Sequence, residues 1–237
     1  MSDIVKAIEK EKEYLSFRIK GEEPYHLVDA VKEYGFESLK DYFDAKRDYL
    51  FSQLEFEVVE TTPDKAIAEV FKAIENKENK VGFINIDYTL VLSGNQEDAN
   101  VEYCNECNIP IYPYYTNGGS TVATAGDFLL GICMPESPGR NDVSYLLNKV
   151  CALLQKNNDS LFEVKGNDIL RDGNKILGSA VYRQNGMLVL INYLSFSDKQ
   201  ELIHNICLKH STKQPGYIDF MTRQQFQEEV KNWTKTQ

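Results

Sequence analysis

Three closely spaced turn signals constrain the fold of this chain more than any other feature of its sequence. Each is a dipeptide that favours a two-residue hairpin turn: Gly166-Asn167, Asp172-Gly173 and Asn185-Gly186. Short β-rich runs stand on both sides of these turns, at 161–164, 169–170, 176–182 and 187–193. Strands joined by such short turns are antiparallel neighbours, so the pattern predicts a strand meander in the second half of the chain.

Helical and β-rich segments alternate over the rest of the chain. Thr62-Pro63 is typical of a helix start, because threonine can cap and proline suits the first turn, and this helix is expected to reach about residue 78. Ser197 with Gln200 and Thr222 with Gln225 have the spacing of capping boxes that open the last two helices. Further helices are expected at 98–108 and 141–157, and further strands at 81–86, 89–93, 109–115 and 128–134.

These segments predict an α+β fold with a mixed, mostly antiparallel sheet flanked by helices. Strands in hairpin-like groups, with helices between the groups, argue against a doubly wound parallel sheet. Residues 1–57 are dense in charged and aromatic residues, and their helical patterns break at Gly35. We therefore expect an N-terminal segment of two or three helices over 1–57 and the α+β domain over 58–237.

The formal net charge of −10 bears on possible partners. An acidic surface repels nucleic acid and anionic lipid, so neither is an expected partner. No apolar run approaches the length of a membrane span. The charged residues 1–12 lack the apolar region of a signal peptide, which predicts a cytoplasmic protein. Five cysteines, an odd number, fit reduced thiols better than a disulfide framework.

The segment with the most chemical content contains Lys175 at the start of a predicted strand, followed by Gly178-Ser179-Ala180. A lysine in this position can reach an anion in a neighbouring cleft, and small residues let a ligand or another backbone approach closely. The alternative is an exposed hairpin lysine beside a close-packing strand. On this pattern alone the second arrangement is the commoner one.

A second segment has consecutive glycines with hydroxyl-bearing neighbours, at Asn117-Gly118-Gly119-Ser120. Successive backbone N–H groups in such a loop can bind a phosphate or a carboxylate. It is not a Walker loop, because no Gly-Lys-Ser/Thr follows. A plain turn is the commoner explanation of two glycines alone.

Taken together, the two segments resemble the lipoate–protein ligase family. The Asp172-Gly173-x-Lys175-Ile176-x-Gly178-Ser179-Ala180 pattern is similar to the lysine segment of that family. Upstream, Ser93-Gly94-Asn95-Gln96 followed by Asn100-Val101-Glu102-Tyr103 resembles its Gly-x-x-Gln and Asn-x-x-Tyr segment. The resemblance covers about residues 60–235 and implies a biotin/lipoate protein ligase-like fold.

The resemblance also implies a reaction. The family activates lipoate or octanoate with ATP as an acyl-adenylate and transfers the acyl group to a lysine of a carrier protein domain. It implies that Lys175 is the catalytic residue, which holds the carboxylate and the adenylate phosphate and stabilises developing negative charge. It implies Mg²⁺ near Asp168, and substrate or nucleotide binding by Gln96, Tyr114, Asn117, Gly118, Gly119, Asn167, Asp168, Gly178, Ser179 and Ala180.

The chain also departs from the family pattern. Pro113-Tyr114 stands where the family has a basic pair, Asn117 replaces the first glycine of the loop, and Ala123 replaces a histidine. Each replacement removes a cation, a hydrogen-bond donor or backbone freedom from the expected anion site. The resemblance ends with the catalytic domain, so we do not expect in this chain the small accessory C-terminal domain that many of these ligases use for adenylation. Two alternatives therefore stay open: a non-catalytic ligase-like binding module, and a catalytic subunit that needs a separate accessory subunit.

The cysteines offer less obvious chemistry. Related acyltransferases that work without ATP use a cysteine nucleophile just before the lysine segment, and no cysteine lies between Cys151 and Cys207. Cys104 and Cys107 have CxxC spacing, but a structural zinc site needs two further ligands. Cys151 lies beside the apolar stripe of the helix expected at 141–157, so we expect it in the protein core. No metal site is assigned to the thiols.

Overall fold

The computed structural model describes residues 2–22, 25–93, 98–113, 120–136, 142–156, 158–208 and 213–235. The chain divides into two compact units, residues 1–55 and residues 56–236. None of the helices described has the length and apolar character needed to cross a membrane.

Three helices form the first unit: α1 (Asp3–Ile19), α2 (Leu27–Lys32) and α3 (Leu39–Ser52). The break expected at Gly35 is present, because Gly35 follows α2 with a positive φ of 89°. Ser38 caps α3 by accepting a hydrogen bond from the Asp41 backbone N–H at 3.1 Å. Side chains from all three helices pack into one small core: Ala7, Ile8, Val31 and Tyr42.

The second unit contains ten strands and five helices among the described residues. The strands are β1 (Glu57–Thr61), β2 (Lys80–Asn85), β3 (Leu90–Ser93), β4 (Ile111–Pro113), β5 (Thr121–Ala123), β6 (Phe128–Pro135), β7 (Phe162–Lys165), β8 (Asp168–Arg171), β9 (Asn174–Gln184) and β10 (Met187–Leu194). The helices are α4 (Pro63–Asn76), α5 (Val101–Glu106), α6 (Asp142–Gln155), α7 (Gln200–Ile206) and α8 (Arg223–Lys235).

Seven of these strands form one sheet in the order β1-β2-β6-β10-β9-β8-β7, and a smaller sheet has the order β4-β3-β5. In the large sheet only β1 and β2 run parallel, and every other neighbouring pair is antiparallel. The prediction of a mixed, mostly antiparallel sheet flanked by helices is therefore confirmed.

The predicted meander is formed by β7, β8, β9 and β10, joined by the three expected turns. Asp172 and Gly173 have φ values of 50° and 84°, and Asn185 and Gly186 have values of 55° and 76°. Positive φ at both central residues is the geometry that Asp-Gly and Asn-Gly adopt readily. The turns set the register of β9, and this register determines where Lys175 lies.

Some local expectations were wrong or incomplete. The Thr222–Gln225 capping box forms, with the Thr222 N–H donating to Gln225 Oε1 at 2.7 Å and the Gln225 N–H donating to Thr222 Oγ1 at 3.1 Å. The Ser197–Gln200 box does not, because the Ser197 hydroxyl bonds that of Thr124 at 2.8 Å and α7 starts only at Gln200. Strands β1 and β5 had no counterpart among the predicted strands.

The core of the second unit lies between the large sheet and the helices. Phe128 at the start of β6 packs against Phe83, Phe196 and Phe226, with ring centroids 5.6 to 6.2 Å apart. α6 buries the apolar stripe expected of it, including Leu146, Leu147, Val150 and Leu154. Burial of these side chains supplies the main driving force for this unit.

Candidate functional site

A cleft of about 560 Å³ opens beside the start of β9. Its walls come from β9, the end of β10, α7, the segment 213–216 and the residues Ser120 and Thr121 before and within β5. Charged or reactive side chains in the wall are Lys175, Lys199, His204, Cys207 and Lys213. No aspartate or glutamate is among the described residues of the wall, although the chain carries a net charge of −10. The cleft is therefore a basic site on an acidic protein.

Lys175 is held in place by its neighbours on the β8–β9 hairpin. Its Nζ lies 2.9 Å from Oδ1 of Asp168, the first residue of β8. Asp168 pairs in register with Gly178, three residues after Lys175 on β9. The lysine side chain therefore extends along β9 toward Gly178 to reach the carboxylate. A Cβ placed on Gly178 would lie only 2.8 Å from both Cε and Nζ of Lys175. Glycine at position 178 thus leaves the space that the lysine occupies.

A second lysine approaches the same carboxylate. The Lys213 ammonium donates hydrogen bonds to Oδ2 of Asp168 and, at 3.2 Å, to the backbone carbonyl of Lys165. Asp168 therefore lies between two ammonium groups, one on each carboxylate oxygen, with its side chain 17% exposed.

A buried ion pair lies behind the opposite wall. The Lys199 ammonium, only 3% exposed, pairs with the fully buried Asp127 and donates to Tyr193 Oη at 2.6 Å. Asp127 also accepts hydrogen bonds from Tyr193 Oη at 2.8 Å and from the backbone N–H of Thr124 and Phe196, each at 2.8 Å. Burial lowers the pKa of Lys199, and the Asp127 charge opposes that effect. Burial beside Asp127 raises the pKa of Tyr193 well above its usual value.

Cys207 and His204 reach the cleft from the end of α7. The Cys207 thiol is 3.9 Å from the Ser120 carbonyl oxygen, and the residue is 5% exposed. Burial raises the pKa of this thiol, so at neutral pH it is mainly protonated.

The predicted site residues divide into three groups. Lys175 and Gly178 line the cleft, and Asp168 contacts Lys175. Asn167, Ser179 and Ala180 are close in sequence but are not among the described residues that line it. The Asn167 carbonyl accepts from the Ser179 N–H at 2.8 Å, and the Ser179 hydroxyl donates to buried Asn192 at 2.7 Å. Lying outside the described residues are Gln96, Tyr114, Asn117, Gly118 and Gly119.

Sequence patterns did not identify Lys199, His204, Cys207 or Lys213 as cleft residues. No local motif surrounds any of them. A signal was available only for Lys213, where Gln214-Pro215-Gly216 indicates a chain reversal or an extended segment that could bring a lysine back to the sheet.

The donor set does not fit a protein-held Mg²⁺ ion as the side chains are arranged. Mg²⁺ takes oxygen ligands in octahedral geometry, whereas both oxygens of Asp168 contact lysine ammonium groups that would repel a third cation. Elsewhere in the described part of the chain, no group of three or more histidine, cysteine, aspartate or glutamate side chains could hold a metal ion. The assignment of Mg²⁺ to Asp168 stays a prediction.

Several solved structures share this fold at low sequence identity. The bi-partite lipoate protein ligase of Thermoplasma acidophilum, solved with its E2 lipoyl domain, matches with a TM-score of 0.66 at 13% identity, over 77% of this chain and 84% of that one. Lipoate-protein ligase A bound with ATP matches with a TM-score of 0.62 at 13% identity, over 77% and 85% of the two chains.

LipL1 of P. falciparum in complex with lipoate matches with a TM-score of 0.62 at 12% identity, over 76% of this chain. This chain spans 60% of the length of that protein. No curated protein sequence matches the chain.

The family model of the lipoyl protein ligase A/B catalytic domain matches residues 70–224. That range is well over half of the chain, and it includes the lysine hairpin, the buried ion pair and the segment 213–216. The chain belongs to the lipoyl protein ligase A/B catalytic domain family.

Proposed function

We propose that this protein attaches lipoate or a related acyl group such as octanoate to a lysine of a carrier protein through an acyl-adenylate. The observation that carries the proposal is the position of Lys175, held by Asp168 and Gly178 at the wall of a basic cleft. A fixed ammonium group beside a cleft is suited to stabilise negative charge on a carboxylate or a phosphate.

The proposed reaction has two steps. A carboxylate oxygen of the acid attacks the α-phosphate of ATP, which forms the mixed anhydride and releases pyrophosphate. The amine of the carrier lysine then attacks the acyl carbon, and AMP leaves with the bonding electron pair. Negative charge develops on phosphate oxygens in the first step and on the carbonyl oxygen and the departing AMP in the second, and the role proposed for the Lys175 ammonium is to stabilise this charge.

Proteins of similar fold supply the candidate ligands. One is solved with lipoate, one with ATP, and one is a bi-partite ligase solved with its E2 lipoyl domain. We therefore propose lipoate and ATP as substrates and a lipoyl domain as the carrier. The bi-partite relative also supports the proposal that a separate accessory subunit works with this chain.

The test is an acylation assay with the full chain, ATP and Mg²⁺, lipoate or octanoate, and a lipoyl domain, followed by intact mass spectrometry. The Lys175→Ala variant should lower the rate of transfer by about a hundredfold or more, the usual effect of removing a group that stabilises the transition state. Lys156→Gln is the matched control, because that exposed lysine pairs with Glu229 on the surface. Full transfer by Lys175→Ala would exclude the role proposed for Lys175, and absence of ATP-dependent transfer by the wild-type chain, alone and with an accessory subunit, would exclude the ligase function.

A second candidate function rests on Cys207, which lines the same cleft as Lys175. In this reaction a donor thioester acylates the Cys207 thiol and releases the donor thiol, and the carrier lysine then displaces Cys207. Transfer without ATP from an acyl thioester, lost in Cys207→Ser, would favour this function. Because burial raises the pKa of the thiol, this candidate also requires a base or an opening of the cleft.

The replaced basic pair at Pro113-Tyr114 motivates a third possibility, a ligase-like binding module without catalysis. A binding module would bind lipoate in calorimetry but transfer no acyl group. Transfer would be absent with the free acid and ATP and with an acyl thioester, whether or not an accessory subunit is added.

A further inference from the structure

Two lysine ammonium groups meet at the Asp168 carboxylate beside the cleft. Lys175 pairs with one oxygen of the carboxylate and Lys213 with the other. Lys199, the third lysine of the wall, is balanced by Asp127 behind it. Lys175 and Lys213 both line the cleft, so two closely spaced ammonium groups face the space where an anionic ligand would bind.

Backbone contacts fix Lys213 in this group. The segment 213–216 runs parallel to the start of β9, with the Lys175 N–H donating to the Gln214 carbonyl and the Gly216 N–H donating to the Lys175 carbonyl, each at 2.8 Å. Gly216 packs so closely on β9 that a Cβ would lie 3.0 Å from Asn174 Cβ and 3.2 Å from Ile176 Cγ2. Backbone pairing with Lys175 therefore places the Lys213 side chain next to the Lys175 side chain.

We propose that Lys213 is a second phosphate-binding residue, which with Lys175 provides the counter-charge for a diphosphate group without a metal ion held by the protein. Lysine ammonium groups bind phosphate as compact point charges. A diphosphate oxygen can contact each ammonium from the cleft side while Asp168 keeps both oriented. The identity of the anion, the diphosphate of ATP or the pyrophosphate product, rests on the proposed function.

The binding experiment uses the full chain and inorganic pyrophosphate, titrated by calorimetry in EDTA at low salt. Wild-type protein should bind pyrophosphate without a divalent cation. Lys213→Gln should weaken this binding by roughly tenfold to a hundredfold, the effect of losing one hydrogen bond to a charged group. Lys213→Arg, which keeps the charge, should bind pyrophosphate with an affinity within about threefold of wild type. The surface control Lys156→Gln should have the wild-type affinity.

Lipoate affinity is measured in the same series, so that a loss specific to pyrophosphate can be told from a general disturbance of the cleft. Equal pyrophosphate affinity in Lys213→Gln and wild type would overturn the inference. So would wild-type binding that appears only with added Mg²⁺. Because the probe is pyrophosphate alone, the Lys213 result stands whether or not acyl transfer is detected, and the acylation assay judges the proposed function separately.

Discussion

At the scale of single residues, the absent side chain of Gly178 sets the position of the Lys175 ammonium. The backbone at Gly178 has no positive φ, so alanine would not strain it. The conflict is with the flexible end of Lys175, which lies 2.8 Å from the point that an alanine Cβ would occupy. Since a lysine side chain can move at little cost, the change would disturb the site more than the stability of the fold.

We expect Gly178→Ala to reduce acyl transfer by about a hundredfold, because a displacement of about 1 Å at a reacting group has effects of that size. Its free energy of unfolding in urea should change by less than about 1 kcal/mol. Gly82→Ala in β2 is the matched control, since its Cβ would meet only Val59 Cγ2 at an ordinary 3.7 Å. Wild-type activity in Gly178→Ala would show that Lys175 does not act from its present position.

The sequence predicted the part of the site that a single hairpin contains. Lys175, Asp168 and Gly178 lie within a few residues of one another, and turn chemistry at Asp172-Gly173 brings them together. Lys213 joins them through backbone pairing between distant segments, and no local propensity encodes which distant segment pairs with β9. The same limit applies to Cys207, which depends on how α7 packs.

At the scale of elements, one buried ion pair connects three parts of the second unit. Asp127 follows β5, Tyr193 belongs to β10, and Lys199 precedes α7. The Tyr193 Oη also lies 2.9 Å from the Val122 carbonyl oxygen of β5, an alternative acceptor for its single proton. These contacts join the small sheet to the large one at the wall of the cleft. The Ser197–Gln200 capping box failed at this same place, because tertiary contacts took the Ser197 hydroxyl.

We expect Lys199→Met to destabilise the protein by about 3 kcal/mol or more, since it leaves the buried Asp127 charge without its ion partner. The exposed pair Lys156–Glu229 provides the comparison, and Lys156→Met should cost no more than about 1 kcal/mol. Urea denaturation measures both. The double variant Lys199→Met/Asp127→Asn should lose less than the sum of the two single losses, and strict additivity would mean that the pair is not coupled.

At the scale of the whole molecule, the thiols report on how firmly the second unit is closed. Four cysteines are buried, Cys104, Cys133, Cys151 and Cys207, and Cys107 is exposed. Burial raises the pKa of all four buried thiols, and that of Cys133 to about 11. A buried thiol reacts only after the structure opens and the proton leaves.

A thiol-reactive chromogenic disulfide at pH 8 should therefore show one fast reaction, from Cys107, and slow reaction of the others. Cys107→Ser should remove the fast phase alone. The slow phases should speed up as pH rises from 8 toward 10. Burial raises the pKa of these thiols, so the fraction present as the reactive thiolate is still increasing over that range. A second fast phase lost in Cys207→Ser would instead show that the cleft opens readily at Cys207.

The pairing of segment 213–216 with β9 has a consequence for synthesis of the chain. The lysine hairpin leaves the ribosome together with its neighbouring strands, whereas the strand-like segment that brings Lys213 onto Asp168 is translated after all of them. Contacts of large sequence separation also form late, because closing a long loop costs entropy. A nascent chain can thus complete most of its large sheet before Lys213 reaches Asp168, so on the proposal above the full stabilisation by a bound diphosphate comes only once this segment has been made and paired.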